Sequence, residues 1–317
     1  MGKYLTNQIN PNNIKHRAIN DKITKAIFMA ITVLCALVIV LIVIFVFIKG
    51  ISPFINDYII DGISYRVNFW GFLRGDFWFQ PPNIYGAGFI IINTMYVTLL
   101  ALLIAVPTSV FTSLFISKIA PKKVGSIVSY IVELLASIPS IIYGIFGVGI
   151  ITKIVKFFAG LVNYQSAGGI STLATVLVLA IMIIPTITML STTSINAVKK
   201  DIINGSLALG ASVTQTNFKV VLTSAKSGIF AGVILGVGRA LGEATAISMV
   251  AGNAGGGPTF NLFDTTRTLT TTMLLGLKET LGLDYDIRFS VGILLIIIIL
   301  LTNILLNVVK RKIGKVK

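Results

Sequence analysis

The stretch GIFAGVILGVGRALGEATA, residues 228–246, decides how this chain is read. Gly228, Gly232, Gly236, Ala240 and Ala244 recur every four residues, which on a helix draws one slim stripe. Gly238, Gly242 and Ala246 draw a second. Small residues at this spacing let helix backbones approach closely within a bilayer, so the pattern predicts a transmembrane helix contacted on two sides, as at the centre of a bundle. Two charges, Arg239 and Glu243, interrupt it. Insertion scales put an arginine at the bilayer centre at about 2.5–3.5 kcal/mol, so it has to be paired, hydrated or used. Glu243 stands four residues on, within reach of an intrahelical pair. Glu133, in another apolar run, is a second candidate partner. The glycines at 236–238 are not a nucleotide loop, because no strand precedes them and no Gly-Lys-Ser/Thr sequence occurs in the chain.

The rest of the chain agrees with a membrane reading. Of 317 residues, 55% are hydrophobic and 12% charged, and the mean hydropathy is +0.92. A soluble domain carries about 25% charged residues, so an ordinary soluble enzyme and a disordered chain are both excluded. Apolar runs near the length of a bilayer crossing occur at 26–48, 88–117, 127–157, 170–194, 226–251 and 289–309. The expected fold is therefore an all-α polytopic membrane protein with six transmembrane helices. Pro107, Pro139 and Pro185 predict kinks or breaks in the second, third and fourth runs. The first run is longer than a signal-peptide core and no small-residue cleavage site follows it, so it reads as a retained anchor.

The net charge of +15 has a simple origin. Seventeen of the 26 cations fall in the arm before run one (Lys3, Lys15, Arg17, Lys22, Lys25), in the 2–3 connection (Lys118, Lys122, Lys123), in the 4–5 connection (Lys199, Lys200, Lys219, Lys226) and in the tail (Lys310, Arg311, Lys312, Lys315, Lys317). Only Asp21 and Asp201 oppose them there. The other connections are nearly neutral. This alternation predicts that both termini are cytoplasmic, and it removes the nucleic-acid reading that a basic chain invites.

Enzymatic readings fare poorly. With one Cys (Cys35) and one His (His16), no intrachain disulfide, Cys-ligated cluster or His-based nucleophilic triad can be built, and no metal or cofactor is expected. Glu133 and Glu243 have no accompanying nucleophile. The reading that remains is a polar station on a solute path. Arg239 offers planar donors and a permanent charge to a tetrahedral oxyanion, and a nearby carboxylate would temper its affinity.

Three connections stand out. Residues 49–87 are rich in aromatics, which reads as an interfacial lid or a docking surface for an external partner. Residues 252–288 open on a Gly-rich stretch, flexible by composition, and pass through an apolar, Thr-rich segment, 268–281, that suits a re-entrant or interfacial helix. The 4–5 connection, 195–225, contains Asn204, Gly205, Ser206, Leu207, Ala208, Leu209, Gly210 and Ala211. That is a short helix of small residues ending at Gly210, which another protein can approach closely.

Residues 204–223 resemble the cytoplasmic EAA loop of bacterial ABC importer permeases, with Gly210, Val220 and Leu222 on its Gly, Ile and Leu, while Asn204-Gly205-Ser206 replaces Glu-Ala-Ala and Thr223 replaces the Pro. ELLASIPSIIYG, residues 133–144, is similar to the third-span signature of phosphate-specific permeases. GRALGE, residues 238–243, with the following MVAGN at 249–253, is similar to the PstC-type subunit of that family. The resemblance implies a five-helix MetI-like permease core at 88–309 with a coupling loop at 195–225. Ahead of the core come a cytoplasmic arm at 1–25, an extra transmembrane helix at 26–48 and an extracytoplasmic loop at 49–87, and a basic tail at 310–317 follows. It implies a complex with a PstA-like permease subunit, two PstB-like ATPase subunits and an extracytoplasmic phosphate-binding protein, in the plasma membrane of a bacterium. It implies that Arg239 and Glu243 bear on phosphate movement, while ATP hydrolysis belongs to another subunit. The same architecture serving molybdate, tungstate or sulfate is the nearest alternative, and a non-transporting scaffold or sensor of phosphate status is a further one.

Overall fold

A computed structural model describes residues 11–80 and 83–314 of the chain. The first ten residues of the predicted arm and residues 315–317 of the tail lie outside the described residues. Among the described residues six helical segments are long and apolar enough to cross a membrane: Asp21–Ile55, Gly88–Ile119, Ser140–Leu161, Thr172–Asn196, Val213–Gly242 and Leu283–Lys312. The chain is an all-α polytopic membrane protein, as its composition predicts.

The first helix, α1 (Pro11–Ile55), crosses the last, α13 (Leu283–Gly314), near its own C-terminal end. Gly50 makes this crossing possible, because a β-carbon there would lie 2.6 Å from the Phe289 carbonyl oxygen and from Ile293 Cδ1. Ser290 Oγ donates to Gly50 O at 2.6 Å, and Lys49 pairs with Asp286 at 3.2 Å. Upstream of this contact, Ile23–Ile44 leave their large apolar side chains exposed on this chain.

The core is built on α7 (Thr172–Asn196), flanked by α3 (Gly88–Leu114, prolonged by a π-turn over Phe115–Ile119) and by α10 (Leu222–Gly242). The side chains at their contact, among them Ala101, Ala105, Leu179, Ile183, Ile187 and Ala240, are buried. Pro107 and Pro185 stay inside continuous helices, so no break forms at either. Beside Pro185, the Ile184 carbonyl takes bonds from the Ser109 and Thr188 hydroxyls, and the first of these ties α3 to α7.

Pro139 acts differently and corrects the third predicted run. The segment 127–157 is not one helix. It divides into α4 (Lys122–Ser137), α5 (Ser140–Phe146) and, after a π-turn at Gly147–Ile151, α6 (Thr152–Leu161). Ile138 and Pro139 are extended (ψ 127 and 141). Proline disfavours a helical residue before it and donates no hydrogen bond, so two adjacent residues leave the helix together.

The 49–87 connection is smaller than expected, since α1 runs on to Ile55. What remains folds into two short hairpins, β1–β2 (Tyr58–Ile60 with Ile63–Tyr65) and β3–β4 (Trp78–Phe79 with Ile84–Tyr85), around α2 (Phe69–Arg74). Phe72, Trp78 and Tyr85 are buried with Phe89, Leu269 and Ile287, so this cap is part of a second core and not only a surface lid. It also holds the Gly-rich stretch in place. Trp78 N donates to Gly255 O at 2.8 Å, and Gly257 N donates to Asp76 O at 3.1 Å. A β-carbon at Gly256 would meet the Phe77 ring at 2.9 Å. Glycine serves close approach at these positions, which explains why a segment flexible by composition is fixed.

Candidate functional site

The two predicted stripes of α10 have different fates. Gly228, Gly232 and Gly236 lie against α7: a β-carbon would stand 2.6 Å from Ser194 Cβ, 3.2 Å from Leu190 Cβ and 2.8 Å from Ile187 Cδ1, respectively. At Gly238 and Gly242 a β-carbon would meet nothing within 4 Å. One side of α10 is packed within this chain, and the other is open in it.

Arg239 sits at the border of the open side, half-buried. Its Nη1 donates to Thr186 Oγ1 at 2.9 Å. Thr186 is near the middle of α7, so Arg239 stands beside the middle of the central helix. Neither predicted partner reaches it. Among the described residues the one ion pair is Lys49–Asp286. Glu133 is on α4, exposed, with Ser129 Oγ at 3.5 Å from its Oε1. The break at Pro139 takes it out of the third crossing.

Glu243 is close in sequence but turned away. The helix ends at Gly242, and Glu243 is extended (φ −76, ψ 121), so the i,i+4 geometry is never completed. The fifth predicted run, 226–251, is therefore two helices, α10 and a short α11 (Thr245–Val250). The Glu243 carboxylate Oε1 accepts the Ala246 N–H at 2.9 Å and so caps α11. Its carbonyl accepts Thr270 Oγ1 at 2.7 Å. Thr270 belongs to α12 (Leu269–Leu274), a capped six-residue helix with most of its residues buried, which is what the Thr-rich segment becomes. Beyond α11, Ser171 N donates to Val250 O, so the break lies between the middle of the bundle and the level where α7 begins. Non-helical backbone at that depth is tolerated only where protein or a wet cavity satisfies it, and transporters use such discontinuities at their solute sites.

At the other end of the bundle, α8 (Lys200–Ala208) carries the predicted coupling residues. Asn204, Gly205, Leu207, Ala208, Leu209 and Gly210 are exposed, and Leu209 is 91% exposed. Ser206 turns inward, its hydroxyl 2.9 Å from that of Thr216, and Ala211 is half-buried. Gly210 has φ +85 and closes the helix with a bond from its N–H to Leu207 O. That left-handed conformation explains why glycine stands there.

Three residues of interest escaped the sequence reading. Thr186 is one threonine among many in its helix. Arg267 and Arg288 fall in or beside the nearly neutral connections of the sequence, yet Arg288 is buried on α13 and Arg267 half-buried.

Residues 105–315 match the family described as binding-protein-dependent transport system inner membrane component. The chain belongs to this family. Among its relatives is the Bacillus subtilis protein named Probable ABC transporter permease protein YqgH, 34% identical over 86% of each chain. The Pasteurella multocida phosphate transport system permease protein PstC is 30% identical over 78% of this chain and 80% of its own. Among solved structures, a bacterial alginate ABC transporter shares the fold with a TM-score of 0.62 at 15% identity, over 94% of this chain and 98% of that one. A MetNI methionine ABC transporter gives 0.53 at 19%, over 77% and 96%. The permease is thus a PstC-like membrane subunit of ABC importer type with a MetI-like core. Its family implies an ATPase and a substrate-binding protein as partners.

Proposed function

We propose that this permease carries inorganic phosphate inward by alternating access, driven by ATP hydrolysis on a separate subunit. The observation that carries this is Arg239: a guanidinium beside the middle of the central helix, bonded to a hydroxyl and to no carboxylate, near a break in its own helix. A half-buried cation with no ion pair among the described residues is suited to a passing oxyanion, and its fork-shaped donors fit a tetrahedral one. PstC among the relatives at about 30% identity supports phosphate over other oxyanions.

On this reading the open face at Gly238 and Gly242 receives a PstA-like subunit, so that the path runs between two permease chains. Exposed α8 docks into one of two PstB-like ATPases, with both termini cytoplasmic. An extracytoplasmic phosphate-binding protein delivers cargo from the side of the hairpin cap, where Trp70, Phe77 and Phe79 are exposed. Glu243 acts by shaping the break and capping α11, and Glu133 has no part in holding Arg239.

The test is ATP-dependent uptake of labelled phosphate into vesicles holding the assembled complex. Arg239→Ala is expected to abolish uptake and leave assembly intact, and normal uptake by that variant overturns the path. Competition by molybdate, tungstate and sulfate tests the cargo: a competitor that outcompetes phosphate displaces it as substrate.

A further inference from the structure

A cleft of about 420 Å³ lies at the end of the bundle opposite α8, lined by Trp78, Gln80, Asn253, Arg267, Thr272 and Arg288, among others. It differs from the Arg239 station in both place and composition. Two guanidiniums face it. Arg288 is 5% exposed, and its Nη1 donates to Thr272 O at 2.7 Å and to Leu275 O. Arg267 Nη2 donates to Asn253 O at 2.8 Å. Among the described residues neither is in an ion pair: the acids whose charge reaches Arg288, Asp284 and Glu279, are not within bridging distance.

Several polar atoms of the cleft-lining side chains are left over. Among the described residues, Arg267 Nε, Arg288 Nε, Gln80 Nε2 and the acceptor Asn253 Oδ1 are buried without a hydrogen-bond partner. An unmet buried donor on a charged group is costly, so two guanidiniums with unmet donors beside one cleft favour an acceptor there. Burial, and next the charge of Arg288, lower the Arg267 pKa to about 10, so it stays charged at neutral pH in a setting that disfavours the charge. A bound anion relieves this strain. The volume holds an oxyanion and several waters at about 30 Å³ each.

We propose that this cleft is a receiving site for the transported tetrahedral oxyanion, held by Arg267, Arg288 and Gln80 before it moves to Arg239. The assignment to phosphate rests on the function proposed above. One helix touches both stations. Thr272 of α12 lines the cleft, while Thr270 of the same helix bonds Glu243 at the break below Arg239. Occupancy of the cleft is thereby linked to the backbone that shapes the path.

The chain carries its own reporter. It has two tryptophans, and Trp78 lines the cleft. In the full chain with Trp70→Phe, inorganic phosphate is expected to give a saturable change in Trp78 emission that chloride at equal ionic strength does not give. Arg267→Gln is expected to weaken it about tenfold or more, the usual effect of losing one charged hydrogen bond. Should that variant fail to fold, Gln80→Met is expected to weaken it in the same direction. Arg239→Ala, which stops uptake, is expected to leave the Trp78 response in place. No saturable response, or one unaltered by Arg267→Gln and Gln80→Met, overturns the site even if phosphate uptake is normal. A saturable response to sulfate or molybdate and none to phosphate upholds the site and removes phosphate as the cargo.

Discussion

Two glycine-to-alanine changes ten residues apart on α10 should have opposite effects on the isolated permease. In Gly228→Ala the new methyl falls 2.6 Å from Ser194 Cβ, an atom fixed to the backbone of α7, so the helices have to move apart. Overpacking of this kind costs about 1–3 kcal/mol, and the better helix propensity of alanine returns about 0.5–1 kcal/mol. The net is a destabilisation of about 0–2.5 kcal/mol. In Gly238→Ala nothing lies within 4 Å, so only the propensity gain remains, a stabilisation of about 0.5–1 kcal/mol. Denaturant titration of the purified chain in detergent, followed by helical circular dichroism, separates the two. With the partner permease present the order should change: Gly238→Ala should weaken co-purification, because the open face is then occupied. If Gly238→Ala destabilises the isolated chain as much as Gly228→Ala does, the division of α10 into a packed and an open side is wrong.

Thr186→Val removes the hydroxyl bonded to Arg239 while keeping the side-chain shape, and should lower phosphate uptake about tenfold without loss of assembly. Unchanged uptake kinetics in vesicles would show that this bond does not position the guanidinium. Gly210→Trp should uncouple ATP hydrolysis from transport, since it adds bulk to exposed α8 and forces a left-handed backbone costing about 1–2 kcal/mol on a side-chain-bearing residue; substrate-stimulated hydrolysis at the normal rate would refute the docking role. Tyr58 donates to Asp286, and burial first, opposed by Ser52 and reinforced by Asp286, raises its pKa to about 12. Because the folded pKa is the higher one, the stabilisation is complete below the ordinary value of 10.0 and is lost between there and about 12. Tyr58→Phe should therefore flatten the alkaline loss of stability in that window, as measured by thermal unfolding against pH.

Much of this was legible in the chain because it depends on local quantities. The length of an apolar run fixes a crossing, small residues at four-residue spacing fix a close helix contact, and Gly210 marks the end of a helix. These need only the neighbouring residues and the bilayer. Pro139 was readable as a possible break, but its effect was not. Pro107 and Pro185 carry the same local signal and stay within unbroken helices.

What the tertiary structure decided is which charges meet. Spacing put Glu243 on the face of Arg239, and the end of the helix at Gly242 took it off that face and gave its carboxylate to the Ala246 amide. Composition made residues 252–258 a flexible loop, and the hairpin cap turned Gly255 and Gly256 into points of close contact. Arg267 and Arg288, 21 residues apart and indistinguishable in sequence from other loop cations, share one cleft because α12 and the cap fold over the start of α13. The sequence by itself determined that this chain crosses the membrane and sets an arginine within one of its long apolar runs. Which groups are left free to take an anion follows from pairings between distant segments, and no local pattern encodes those.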